Sequence, residues 1–161
     1  VQLSDFDYDL PPDRIAQRPA KPRDASRLMI LDRQRGTYTH HTFHELPAFL
    51  TPKDVLVLNE TRVIPARMHA FKVPTGGRVE LLLLKRIAPR TWEALIGGRG
   101  TRPGLRLSLH GERTCTAVEN LGDGRWVIRF DEPISDQLAS VGEMPLPPYI
   151  KTPLEDPEEY Q

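Results

Sequence analysis

The sequence is short of several things, and each shortage narrows the reading. It has one cysteine, Cys115, in 161 residues. No internal disulfide can form, and a reducing compartment is expected. Cys115 sits in the alternating stretch TCTAVENL, where it reads as a core thiol. There is no run of about 18 apolar residues, the length that a membrane-spanning helix needs. The opening VQLSDFDYDLPP has neither a charged start nor an apolar segment, so no secretory leader is expected, and the expected location is cytoplasmic. No Rossmann fingerprint follows a strand, and GGRGTRPG (97–104) lacks the Gly-Lys-Ser/Thr ending of a P-loop. His40, His41 and His44 lack a matching ligand set, and on a strand only His40 and His44 share a face, so no metal is expected.

Net charge is also absent, with 22 basic and 22 acidic side chains. The balance hides an asymmetry. Residues 67–130 carry twelve basic and five acidic side chains, and residues 131–161 carry one and eight. Such a split fits a middle segment that faces a polyanion. It fits equally an acidic tail folded back onto that segment.

What is present is a change of texture along the chain. Prolines cluster near both ends: Pro11, Pro12, Pro19 and Pro22, then Pro145, Pro147, Pro148, Pro153 and Pro157. The middle holds six short runs of strand character. They are RMHAFKV (67–73), RVELLLLKRI (78–87), TWEALIG (91–97), LRLSLH (105–110), TCTAVENL (114–121) and RWVIRF (125–130). Gly- and Pro-rich turns separate them, as in a small antiparallel barrel or sandwich. Before them, SRLMILDR (26–33) and TYTHHTFH (37–44) read as a hairpin, and ELPAFLTP (45–52) as a short helix stopped by Pro52. DVLVLN (54–59) is a continuous apolar run, the pattern of a strand buried on both faces. PISDQLASVGE (133–143) reads as a helix ending at Gly142.

The expected fold class is therefore α+β. Part of a discontinuous α/β main domain is interrupted by a six-stranded antiparallel β-barrel-like domain. The expected boundaries are 1–66 for the first main-domain segment, 67–144 for the inserted domain with its trailing helix, and 145–161 for the return. TRVIPARM would be the covalent crossing, with Pro65 fixing φ and biasing Ile64 toward an extended form.

Several stretches together carry a family likeness. They are SDFDYDLP (4–11), IAQRP (15–19), RDASRL (23–28), VLNETRVIPAR (57–67), TGGRVELLLL (75–84) and GEMPLPPYIK (142–151). In this order they resemble the S-adenosylmethionine:tRNA ribosyltransferase-isomerases of the queuosine pathway. Family members continue into a second half beyond the match to Tyr160-Gln161, so the resemblance implies an amino-terminal portion. Two positions depart from the family pattern. Gly97-Gly98-Arg99-Gly100 stands where Arg-Pro-Gly is usual, and Glu159 stands where Arg is frequent.

The resemblance implies a reaction. The ribosyl part of S-adenosylmethionine, a co-substrate, moves onto 7-aminomethyl-7-deazaguanine in tRNA, giving epoxyqueuosine with release of adenine and methionine. The partners implied are that tRNA and no membrane, with a monomeric complete enzyme. Such a site needs a general base and groups that tolerate a sulfonium. Asp5, Asp7 and Asp9 alternate, and on an extended chain would share a face. Asp5, Asp7 and Glu143 are the candidate catalytic carboxylates, with capping or ion pairing as the plainer role. Arg23, Asp24, Ser26 and Arg27 are candidates for the methionine carboxylate or a tRNA phosphate, or for a structural Arg–Asp pair. Asn59, Thr61, Arg62 and Arg67 sit at the end of the expected buried strand, a common place for ligand contacts. Tyr149 is placed to stack on a base or to fill the core of the proline-rich return. The turn arginines Arg90, Arg99, Arg102 and Arg113 are expected to be exposed and to meet the tRNA backbone. The alternative from another class is a non-catalytic RNA-binding β module.

Overall fold

The computed structural model describes residues 1–110 and 112–161, and Gly111, in the turn expected between the runs 105–110 and 114–121, lies outside them. The chain forms two compact units, one of residues 62–146 and one of residues 1–61 with 147–161.

The first of these is a closed antiparallel barrel. Its strands are β3 (Arg67–Lys72), β4 (Arg78–Ala88), β5 (Thr91–Gly97), β6 (Arg106–Leu109), β7 (Thr114–Gly122) and β8 (Arg125–Phe130). The order around the barrel is β3-β4-β5-β8-β7-β6. Period-two alternation creates it: Trp92, Ala94 and Ile96 of β5 and Trp126, Ile128 and Phe130 of β8 all turn inward. The inward set alternates large residues with Ala70, Ala94 and Ala117. This mixture fits the narrow interior of a small barrel. Burying each large aliphatic side chain contributes about 1.5–3 kcal/mol.

β4 and β7 outgrow the core. Register shifts fall between Leu83 and Lys85 in β4 and between Ala117 and Glu119 in β7. At and beyond these shifts Leu84, Ile87, Val118 and Leu121 are exposed, while the strands stay paired with β5 and β8.

The expected helix over 133–143 is much shorter than its pattern. A 3₁₀ turn, Ser135–Gln137, leads into α1, Leu138–Val141. Ile134 and Leu138 join the barrel core, so a single turn suffices to anchor the segment. The chain then meets β3. Arg67 N–H donates to Glu143 O at 3.1 Å, and Glu143 N–H donates to Arg67 O at 2.7 Å.

The second unit holds the hairpin β1 (Arg27–Asp32) and β2 (Thr37–Thr42), in the register Arg27↔Thr42 to Asp32↔Thr37. A 3₁₀ helix follows at Phe43–Phe49 rather than an α-helix over 45–52. A capping box starts it, with Thr42 N–H donating to the Glu45 carboxylate at 2.6 Å. Pro47 lies inside it and supplies no backbone donor. Hydrogen bonds join the two segments of this unit. Gln17 donates to Tyr149 O at 3.1 Å and accepts from Lys151 N–H at 2.7 Å.

DVLVLN does not form the expected strand. Residues 55–66 have no regular structure, and Val55, Leu56, Val57 and Leu58 are 87%, 57%, 87% and 73% exposed. A strand buried on both faces needs neighbours at its edges and layers above and below. Among the described residues none of these is supplied.

Candidate functional site on the barrel

Alternation along β3 turns Met68 and Ala70 inward, leaving Arg67, His69 and Phe71 on its other face. Arg67 is held from several sides. Its Nε lies 3.2 Å from Glu80 Oε1, its Nη1 donates to Leu146 O at 3.2 Å, and its backbone pairs with Glu143. His69 stands between two charged groups. Arg78 Nη2 is 3.4 Å from its Nδ1, and Glu143 Oε2 is 3.7 Å from its Nε2. Arg78 thus faces one ring nitrogen and the Glu143 carboxylate the other.

Glu143 is fixed by a close approach upstream of it. A Cβ on Gly142 would overlap the Pro65 carbonyl oxygen and come within 2.9 Å of the Pro65 carbonyl carbon. No larger residue fits there while the bridge to Arg67 keeps its place. The Val-Ile-Pro-Ala-Arg and Gly-Glu-Met-Pro stretches are therefore two sides of one contact. A cavity of about 560 Å³ opens beside it, bounded by His69, Phe71, Leu109, His110, Val141 and Glu143.

The arginines divide by partner. Arg106 donates to Asp131 at 2.8 Å and to Thr114 Oγ1 at 2.7 Å, and Arg125 donates to Glu93 at 3.1 Å. Arg113 is half-buried, and its Nε donates to Gln137 Oε1 at 2.7 Å. This corrects the expectation of an exposed Arg113. The neighbouring 3₁₀ turn brings an amide within reach, which the sequence does not signal. Lys85, Arg86, Arg90, Arg99, Arg102 and Arg129 are exposed and have no side-chain partner among the described residues. Arg90 and the Arg99–Arg102 loop lie at opposite ends of β5. At about 3.3 Å per residue, that strand separates them by about 20 Å.

Two glutamates of the acidic tail find cations inside their own unit. Glu155 pairs with Arg18 at 2.9 Å and Glu159 with Lys21 at 2.7 Å, within the other unit. The hydrogen bond from Lys21 holds the Glu159 carboxyl below its usual range, and the same contact raises Lys21. Glu159 thus has a local cation.

The remaining candidates in that unit have mostly structural contacts. Leu3–Phe6 is a 3₁₀ helix, so Asp5, Asp7 and Asp9 do not alternate along one extended face. Asp5 accepts from Gln2 N–H at 2.8 Å, a capping contact favoured by its place at the third helical position. Arg23 donates to Gln161 O at 2.7 Å, while Asp24 lies beside it in a short 3₁₀ turn. Ser26 O accepts from Phe43 N–H at 2.8 Å, and Arg27 opens β1, exposed. Asn59 Oδ1 accepts from Thr61 N–H at 2.8 Å, an Asx turn rather than a strand end. Arg62 belongs to the barrel unit and is not free of contacts. Tyr149 is 55% exposed, so its ring does not fill a core among the described residues, and its backbone carbonyl accepts from Gln17. His44 falls in the 3₁₀ helix, so it shares no strand face with His40. Cys115 is fully buried, and burial pushes its thiol up to about 12. It is not a nucleophile at neutral pH.

His69, Arg78, Glu80 and His110 were not among the sequence candidates. The period-two alternation of RMHAFKV is the signal that could have found His69, since it puts His69 and Arg67 on one face of β3. The pairing with Glu143 was not visible, because it depends on a segment 76 residues further on.

The fold defines a class: a small closed antiparallel barrel, inserted between two stretches of another unit, with several exposed arginines that have no side-chain partner among the described residues. Comparison with known proteins gives the family. Residues 3–161 match the profile of the queuosine biosynthesis protein family, and the chain belongs to that family. It is 43% identical over 167 residues to an S-adenosylmethionine:tRNA ribosyltransferase-isomerase of Dehalococcoides mccartyi, covering 100% of this chain and 48% of that protein. It is 49% identical over 162 residues to the protein of the same name from Rubrobacter xylanophilus, covering 100% and 48%. A crystal structure of S-adenosylmethionine tRNA ribosyltransferase from Thermotoga maritima is 39% identical, covers 79% of this chain and 44% of that one, and gives a TM-score of 0.38. The chain spans about half the length of the curated relatives it matches.

Proposed function

We propose that this chain is one half of an enzyme that transfers and isomerises the ribosyl part of S-adenosylmethionine onto 7-aminomethyl-7-deazaguanine at the tRNA wobble position. The product is epoxyqueuosine in tRNA, with adenine and methionine released. Family membership across residues 3–161 carries this reading. The sulfonium acidifies the neighbouring C–H bonds. A carboxylate removes such a proton, adenine leaves, the aminomethyl nitrogen attacks, and an epoxide closes as methionine departs. Asp5, Asp7 and Glu143 are the candidate carboxylates, of which Asp5 also accepts from Gln2 N–H. Arg23, Asp24, Ser26, Arg27, Asn59, Thr61, Arg62, Arg67 and Tyr149 remain candidates for contacts to the co-substrate or its acceptor. No metal enters the scheme. The complete enzyme would act as a cytoplasmic monomer, with main-domain segments 1–66 and 145–161 around an inserted domain, 67–144.

The tRNA backbone would meet the unpaired arginines, with Arg90, Arg99 and Arg102 as phosphate contacts. Replacing these three by Gln should lower the slope of log affinity against log salt for an anticodon stem-loop RNA by about 2, at about 0.7 per lost contact. An unchanged slope would remove the barrel from the RNA interface. The second reading, a module that binds RNA without catalysis, is favoured by the barrel's own complete core. Adenine release separates the two. The chain alone should release none. Release restored by supplying the remaining half as a separate polypeptide supports the enzyme, and its absence supports the module.

A further inference from the structure

We propose that the notch between β3, β6 and the end of α1 holds a guanine-type base splayed out of single-stranded RNA, with Glu143 reading its Watson–Crick edge. This rests on the reading of the chain as part of a tRNA-modifying enzyme and assigns Glu143 to holding the acceptor base rather than to removing a proton.

The size and lining of the notch point to a flat heterocycle. Its volume of about 560 Å³ lies in the range of small-ligand sites. Phe71, 49% exposed, offers a ring face, and Leu109 and Val141 add apolar wall. Base recognition in unpaired RNA works through such faces together with hydrogen bonds at the base edge. The register Ala70↔Leu109 brings His110 opposite His69 one residue further along. His110 is exposed, and its ring has no hydrogen-bond partner among the described residues.

The edge chemistry selects the base. Glu143 is the single carboxylate on this cavity, and its side chain is 65% exposed. An ionised carboxylate only accepts hydrogen bonds and has room for several. A guanine-type base presents two adjacent donors, N1–H and the 2-amino group, which match one carboxylate in a bidentate, charge-assisted pair. Adenine presents the N1 lone pair at the same place and is repelled. A 7-deazaguanine keeps both donors, because its change lies on the other ring. The free imidazole of His110 can donate to O6. His69 acts as a positioning residue, since its Nε2 lies 3.7 Å from Glu143 Oε2 and Arg78 holds its other nitrogen. Gly142 against Pro65 fixes the backbone from which Glu143 projects.

The test uses the chain as it stands. Anticodon stem-loop RNAs with guanosine, inosine or adenosine at the wobble position are titrated onto wild-type protein and Glu143→Gln. Inosine lacks only the 2-amino group. Wild type should bind the guanosine RNA about tenfold more tightly than the inosine RNA, one charge-assisted hydrogen bond being removed. Glu143→Gln should erase that difference. Phe71→Ala should weaken the guanosine and inosine RNAs alike and leave the adenosine RNA nearly unchanged. In parallel, guanosine 5′-monophosphate should shift the His69 and His110 ring signals in NMR spectra, and adenosine 5′-monophosphate should not. Equal binding of guanosine and inosine RNAs, with the arginine-dependent salt slope intact, would overturn the proposal and leave the RNA reading standing. Discrimination retained in a folded Glu143→Gln would also overturn it. Ring shifts with the guanosine nucleotide but no RNA binding would keep the notch and remove the RNA reading. No shifts and no RNA binding would overturn both.

Discussion

The two units of this chain are built from similar residues and differ in what they bury. In the barrel unit, β8 reads RWVIRF, with two arginines in six residues, yet Trp126, Ile128 and Phe130 are buried. In the other unit, Val55–Leu58 is apolar at every position and lies open. Every buried apolar residue among those described falls between Ala66 and Leu138. Closure makes the difference. A barrel gives each inward side chain an opposite wall, whereas a run of apolar residues with no layer on either side has nothing to exclude water with.

The sharpest way to test that contrast is to delete equal volumes in both places. Ile128→Ala should destabilise the barrel by about 2–5 kcal/mol. Denaturant unfolding read by tryptophan fluorescence reports on it directly, because both tryptophans lie in the barrel. Leu56→Ala should change stability by less than about 0.5 kcal/mol, as exposed sites do. A comparable cost at Leu56 would mean that the open run is covered in solution.

A smaller effect should follow at the barrel's chain crossing. Gly142→Ala forces a methyl group into the Pro65 carbonyl and should cost about 1–3 kcal/mol in the same unfolding measurement. Gly77→Ala is the control. Its Cβ would meet Lys72 Cδ at 3.5 Å and Thr75 Oγ1 at 3.7 Å, ordinary contacts, so stability should stay within about 0.5 kcal/mol. If the two alanines behave alike, the Pro65–Gly142 contact is not tight.

The smallest effect concerns charge in the coreless unit. Glu159 is held below its usual range by Lys21, Glu45 by the Thr42 N–H and His41, and Asp54 by the backbone and hydroxyl of Thr51. Carboxyls depressed on folding add stability above their unfolded values and lose it as pH falls through the folded ones. Amide exchange in residues 155–161 should therefore speed up below about pH 4, where carboxylates ordinarily protonate. Barrel amides should keep their protection there. Lys21 is raised, so its share is full below the ordinary lysine range and fades above it. Tail protection unchanged down to pH 3 would show that these pairs do not hold the tail.

How legible this was in the sequence also follows the division between units. Strands β5 and β8 have the limits that alternation and turn residues gave them, 91–97 and 125–130, because each is fixed by a local pattern. The bulges in β4 and β7 were not legible, since a register shift depends on the neighbouring strand. DVLVLN misled because its composition describes a strand only when neighbours exist. The stretch 133–143 misled in another way: its periodicity needs one turn to place Ile134 and Leu138, and Ser135, Asp136 and Ser140 do little to prolong a helix. In the site, Arg67 and Glu143 were legible as single residues through the family likeness. Their meeting through a β-bridge was not, nor was His69 between Arg78 and Glu143, because those contacts join distant segments.

The bridge between Arg67 and Glu143 makes the entry and exit of the barrel neighbours. Hydrogen-bonded partners of this kind sit about 5.5 Å apart at Cα. To the polypeptide on either side, all the residues between them therefore amount to one short step in space. Removing them and rejoining the ends with a two- or three-residue turn would leave a gap of about the same span. The barrel could thus grow, shrink or be exchanged over generations at one fixed point of attachment, and the unit that carries it would experience almost no change in the path of its own chain.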